Sequence, residues 1–329
     1  MRTFVTRVVV TAGLIAGAGL GVVTVSQSAS GAVTRGSLGR GLFSLELAGT
    51  NVASIAQVSG GNPVGTVVEA RVGGPVANKH LAGIQYQDLS FEVGGMGKGL
   101  ADWLRTSLSG AGQRKSGAVL EADQNGSVRT RLAFTDAAVS GITFSELDAS
   151  SKDAFTMTVA LASDTIRRTT GGGGDPGSTK GPTKRLVASN FRITIPGLDT
   201  SRVSKIAPLS VKFKTAAGNV GAQREPQKGS GAADISNLVL TLPEAFATSF
   251  YTWSDSFLVG GKNGDGEEKT GTIELLDPAG KDVLLTLELK GLGLVSVSTV
   301  SSPQSSSPDA LALVRAELYV ESLGLKVAP

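Results

Sequence analysis

"SFEVGGMGKGLADWLRTSLSG" (residues 90–110) sets a strand-like run, a glycine cluster and a short tryptophan-bearing helix side by side. Leu89, Phe91 and Val93 alternate with other residues at period two, the pattern of a strand with one buried face. Past the glycines, Leu100, Trp103, Leu104 and Leu108 share one helical face. The same succession returns later. Leu238, Leu240 and Leu242 alternate, Pro243 suits a first helical turn, and Phe246, Phe250, Trp253 and Phe257 fall on one face.

Outward from these two segments the chain repeats itself in order. "FSLELAG" (43–49) corresponds to "FRITIPG" (191–197), with Phe43 opposite Phe191 and Gly49 opposite Gly197. Ile55 and Val58 fall opposite Val203 and Ile206, and Trp103 opposite Trp253. "KSGAVLEADQNG" (115–126) corresponds to "KTGTIELLDPAG" (269–280), each closing a hairpin with strong turn chemistry. The offset between the halves grows only at presumed loops, which is what duplication of a fold produces. Each copy reads as a first strand, a long polar excursion (59–83 and 207–233), a second strand, the helix, a hairpin and two closing strands.

The expected class is mainly β: two tandem antiparallel barrels or sandwiches, each with one short helix over an open end or face. Trp103, Leu104, Phe250 and Trp253 are the expected helix anchors, with tryptophan as a wide apolar plug. The competing reading makes the tryptophans stacking platforms for a sugar or a base. Forty-four glycines and only 5% aromatic residues agree with many short strands and glycine turns.

The sharpest compositional break, "TTGGGGDPGSTKGPTK" (169–184), reads as a flexible linker and lacks the Gly-Lys-Ser/Thr order of a phosphate loop. The expected organisation is a leader at 1–32, a first domain at 33–168, a linker at 169–188 and a second domain at 189–329. The leader has Arg2 and Arg7 before an apolar run, Val8 to Val25, and Ser30 and Ala32 before a plausible cut at Val33. It reads as a Sec signal, with an uncleaved membrane anchor as the alternative.

Chemistry is sparse. The chain has no cysteine, which excludes disulfides, thiolate metal sites and thiol nucleophiles. His80 is the single histidine and reads as a polar loop residue. No spacing among the acids singles out a catalytic pair, so the chain is not expected to be an enzyme and no cofactor is implied. "GGKNGDGEEK" (260–269) hints at calcium through Asn263, Asp265 and Glu267, but lacks the alternating ladder of acids and reads as a solvated turn. "NGS" (125–127) fits a glycan acceptor and is equally a hairpin turn. Without the leader's arginines the chain is nearly neutral, so no specific nucleic-acid binding is indicated.

Taken together, "FSLELAG", "IAQVSGG" (55–61), "HLAGIQYQDLSFEVGG" (80–95), the "DWLRTSL" helix and the tract from Arg114 to Ala162 resemble the tail tube proteins of contractile-tailed phages and phage-derived injection systems. The likeness spans residues 42–168, and residues 189–327 are similar at greater distance. The resemblance implies a subunit of hexameric rings stacked as a hollow tube, its sheets continuing between neighbours around a channel. With two copies per chain, three chains would make a pseudo-sixfold ring, able to stack and to meet sheath or baseplate-like proteins. The excursions then resemble the family's extended hairpin that reaches the next ring, with Val64, Val67, Val72, Val211 and Phe213 as candidate assembly residues. Their alternative is plain surface loops. The other function class is a secreted two-domain β module that binds a surface, glycan or partner without polymerising. The expected location is outside the cytoplasm by the Sec route, or within a virion or injection particle if the leader is not a true signal; membrane contact is expected only through the leader.

Overall fold

Twelve of the strands fall into two six-strand sets with the same order of neighbours, one closed and one open at a single seam. The computed structural model describes residues 42–70, 78–123, 125–170, 186–218, 227–300 and 312–328, which fall in one compact unit, Gly39–Pro329. The leader, Val72, most of the linker (171–185) and the late loop "SSPQSSSPD" lie outside the described residues.

In the first half, β1 (Leu42–Leu47), β2 (Thr50–Gly60), β5 (Leu89–Met96), β9 (Met157–Ala162), β7 (Val128–Phe144) and β6 (Lys115–Ala122) pair in that order, and β6 returns to β1, closing a barrel. In the second half, β11 (Phe191–Thr194), β16 (Lys269–Leu276), β17 (Val283–Val300), β18 (Leu313–Val327), β15 (Leu238–Pro243) and β12 (Lys205–Ile206) repeat that sequence of neighbours. Only the seam between β11 and β12 stays unpaired among the described residues. All the pairings are antiparallel. The expectation of mainly β architecture with two barrel-like sheets and few helices is met.

Alternation explains the inward faces. Leu45 and Leu47 on β1, Phe91 on β5 and Leu238, Leu240 and Leu242 on β15 are all buried, while their neighbours along the strand are more exposed. The irregularities recur as well. The β7–β9 ladder slips at Ser140, and the β17–β18 ladder slips at Val295. Asp136 on β7 and Gly291 on β17, at matching points of the strands, both have positive φ, 47° and 60°. A bulge there bends each long strand from one wall of its barrel toward the next.

The turns after β6 and β16 are built alike. The Asp123 carboxylate accepts from the Asn125 and Ser127 amides at 2.9 Å, and the Asp277 carboxylate accepts from the Lys281 amide at 2.8 Å. These Asp-anchored turns set the register of the hairpins that follow. The linker expectation differs at its ends. Thr169 and Thr170 belong to β10 (Thr165–Thr170), which extends β9 along β7, and the Leu186 carbonyl accepts from the Phe155 amide at 3.0 Å.

Helix α1 (Lys98–Leu108) is regular and buries Leu100, Trp103, Leu104 and Leu108. Its counterpart is not the single helix that the 246–257 spacing implies. A 3-10 turn (Glu244–Phe246) leads to α2 (Thr248–Ser254), and a π turn (Asp255–Val259) follows, its Gly260 amide donating to the Asp255 carbonyl at 2.8 Å. Aromatic and β-branched side chains crowd the preceding helical turn, so "FYTW" holds only a short α segment. The wider turn keeps Phe257 inside, its ring 5.4 Å from Trp253. Among the described residues no helix is long and apolar enough to cross a membrane.

Candidate assembly surface

The excursion after β2 folds as a hairpin, β3 (Pro63–Ala70) with β4 (Asn78–Tyr86), registered from Pro63 opposite Tyr86 to Ala70 opposite Asn78. Among the described residues it pairs with no other strand. Val64, Val67, Val68, Leu81 and Ile84 are exposed on it, Leu81 at 64%. A lone two-stranded ribbon in water is marginally stable, and such apolar exposure marks a contact surface. Val64 and Val67, two of the expected assembly residues, are exposed on β3. His80 stands on β4 opposite Val68 rather than in a loop, and is exposed.

The second excursion builds the matching hairpin, β13 (Leu209–Gly218) with β14 (Gln227–Ile235). It begins on the same register, Val211 opposite Ile235, and slips one step further on, as the first hairpin does between Thr66 and Val67. Its setting is different. β13 adds to the outer edge of β7, with Leu209, Ser210, Val211 and Lys212 opposite Phe144, Thr143, Ile142 and Gly141. Leu209, Val211 and Phe213 are buried as a result. This corrects the idea that both excursions reach out of the molecule: Val211 and Phe213 are consumed inside the chain, because β7 offers an unfilled edge beyond the end of β6.

The halves exchange a second connection. β8 (Leu147–Asp148), from the first half, pairs with β12 of the second. Lys205 Nζ lies 2.9 Å from Glu146 Oε1 and 3.7 Å from Asp148 Oδ2. Hydrogen bonding to Glu146 raises the Lys205 ammonium above its ordinary value, and the Ser150 hydroxyl and amide hold the Asp148 carboxyl below its own. Sequence reading missed both exchanges. Two-residue strands carry no periodic signal, and edge pairing leaves no trace in side-chain pattern.

What β13 does for β7 is not done for β17. The outer half of β17 pairs with β18 on one side and, among the described residues, with no strand on the other. Ile142 and Phe144 on β7 are buried under the added strand, whereas Val297 on β17 is half-buried and Val295 and Val300 are exposed.

Both tryptophans are buried. Trp103 is fully buried and its indole N–H donates to the Gln113 carbonyl at 2.7 Å; Trp253, Leu104 and Phe250 are buried too. Lys115 Nζ lies 5.8 Å from the Trp103 ring and Lys269 Nζ 5.1 Å from the Trp253 ring, so each half sets a lysine over its tryptophan. Neither ring is placed to stack on a sugar or base. Asp265 and Glu267 form an exposed 3-10 turn, and among the described residues no group of three or more histidines or acids is placed to hold a metal.

Residues 41–167 match the family described as T4-like virus tail tube protein gp19, the tract on which the sequence resemblance rests. Solved structures similar to the chain include one from the anti-feeding prophage baseplate, 6-fold symmetrised, at 13% identity and TM-score 0.35, covering 42% of this chain and 91% of that one. Another comes from the sheath-tube complex of an extracellular contractile injection system, PVC, at 18% identity and TM-score 0.34, covering 42% and 88%. Hcp1 from Flavobacterium johnsoniae matches at 12% identity and TM-score 0.26, covering 42% and 95%. No curated protein matches the chain.

Proposed function

We propose that this chain is a structural, self-assembling subunit of the tail tube kind, made of two copies of one barrel unit, and that three chains close into a ring of six barrels able to stack into a hollow tube. Two domains joined by a linker that begins after β10 and ends before Leu186, export through the leader, and contact with sheath or baseplate-like proteins belong to the same proposal. It involves no catalysis.

One observation carries the reading: the two halves share strand order, hairpin register and bulge position, yet the hairpin of one completes the sheet of the other while its counterpart, among the described residues, pairs with no further strand. Open edges and bare apolar ribbons are liabilities that closed assemblies remove. The family match of residues 41–167 supports the same reading.

Negative-stain electron microscopy of the purified protein tests it. The expected images are rings on the order of 80–100 Å across, the scale of six small barrels about a channel, singly or stacked. Isolated two-barrel particles at every concentration would sink it and favour the non-polymerising binding module.

A further inference from the structure

Within one chain, β13 is the strand that completes β7. The hairpin slips and the bulges transfer this contact onto the other half residue by residue. Ser140 and Val295 are the slipped residues of β7 and β17, so Gly141, Ile142, Thr143 and Phe144 correspond to Ser296, Val297, Ser298 and Thr299. Val211 and Pro63 open the two hairpins, so Ser210 corresponds to Asn62 and Lys212 to Val64. The hydrogen bonds agree: the Ser210 carbonyl accepts from the Ser236 amide at 2.8 Å, and the Asn62 carbonyl accepts from the Gln87 amide at 3.0 Å.

We propose that the β3–β4 hairpin of one chain adds to the outer edge of β17 in a second copy of this chain, with Asn62 opposite Ser298 and Pro63 opposite Val297. The proposal rests on the assembly reading above and gives it a seam. It assigns the first hairpin to a sideways joint between chains and not to the next ring.

Three observations point to a second copy as the occupant. The hairpin and the edge, neither of which pairs with a further strand among the described residues, are the two members of a pair whose counterparts are joined within the chain. Both carry exposed apolar side chains: Val64, Val67 and Leu81 on the hairpin, Val295 and Val300 on the edge. The edge tract Gly293–Val300 has no charge, so it opposes no incoming strand by repulsion or by a buried ion. Since the donor lies in the first half and the acceptor in the second, the contact is head-to-tail and closes a ring through rotation.

The two seams are not equal. Because the Asn62 carbonyl turns toward β4, the backbone groups of residue 63 turn toward the incoming β17. Pro63 has no N–H, so the pair Pro63–Val297 keeps one ladder bond where Val211–Ile142 has both. The joint between chains is therefore weaker than the joint within them, and rings come apart into whole chains.

The chain has no native cysteine, which makes register testable. Asn62 and Ser298 are exposed and would form a non-hydrogen-bonded pair, the closer of the two antiparallel spacings and within disulfide reach. Full-length protein carrying Asn62→Cys and Ser298→Cys, once oxidised, is expected to run on a non-reducing denaturing gel as a closed three-chain species. The misregistered pair Asn62→Cys with Val300→Cys is expected to stay as single chains. If the first variant stays single while light scattering shows that unmodified protein assembles, the seam is wrong and the tube reading stands. If unmodified protein is also single, both fall. Val297→Pro removes a donor that faces away from β18, so it is expected to leave a folded chain by circular dichroism that no longer assembles. Assemblies that persist in this variant overturn the seam.

Discussion

Val211, from the second half of the chain, lies opposite Ile142 of the first, and both are fully buried. The pair makes one sheet of strands more than sixty residues apart, so the halves are expected to unfold together. Ile142→Ala is expected to lower stability by about 2–5 kcal/mol, the usual cost of a cavity at a well-packed site. Urea unfolding followed by the fluorescence of Trp103 and Trp253, one in each half of the sequence, measures it. A loss confined to one transition, or below ~1 kcal/mol, would show that the seam contributes little.

Glu46 and Arg131 form a two-point ion pair across β6, Arg131 Nη2 to Glu46 Oε1 at 2.6 Å and Nη1 to Oε2 at 3.0 Å. The Arg131 hydrogen bonds hold the Glu46 carboxyl below its ordinary value of 4.5. A depressed carboxylate stabilises the fold above the unfolded value and loses that contribution as pH falls through the folded one. Wild type is therefore expected to exceed Glu46→Gln in stability at neutral pH, with the gap shrinking below pH 4.5. A gap independent of pH across that range contradicts the assignment.

Tyr319 donates its hydroxyl to Glu268 Oε1 at 2.6 Å, and this bond, with burial, pushes the phenol up to about 12. The neutral phenol stabilises the fold fully below pH 10.0 and is lost as pH rises toward about 12. Ultraviolet titration of folded protein is expected to show one tyrosine ionising late, and Tyr319→Phe to abolish that step.

Gly293 lies beneath the same ring, and a methyl there would fall inside it. Gly293→Ala is expected to displace the ring at a cost of about 1–3 kcal/mol. An alanine variant that melts with wild type and keeps the late tyrosine step would refute the contact.

The Lys115–Trp103 and Lys269–Trp253 pairs predict equal behaviour in the two halves. Lys115→Met and Lys269→Met are each expected to cost about 0.5–2 kcal/mol, and the double variant roughly the sum, because the sites share no partner. Thermal melts measure this; a stabilised single variant would refute the stacking.

Much of the barrel was legible because alternation and turn chemistry are local. Leu89, Phe91 and Val93 announce an inward face, and Asp123 and Asp277 announce their turns, without reference to the rest of the chain. The helix at 246–257 was only half legible: periodicity placed Phe250, Trp253 and Phe257 inward, but spacing carries no information on the i+5 bond from Gly260 that makes the last turn wider. The expected linker runs to Ala188, yet Leu186 is already bonded to Phe155, a contact between distant backbone groups.

The amino-acid order alone determined that the chain is mainly β and which residues of its alternating strands face inward, since each depends on neighbours within a few positions. Which hairpin joins a larger sheet and which, among the described residues, pairs only with itself was decided only in three dimensions. Val211 and Val64 sit on closely similar ribbons, and what separates them is whether the edge of a distant strand, β7 or β17, comes within hydrogen-bonding reach. Backbone pairing of that kind is blind to side-chain identity, so no pattern of residues could have announced it.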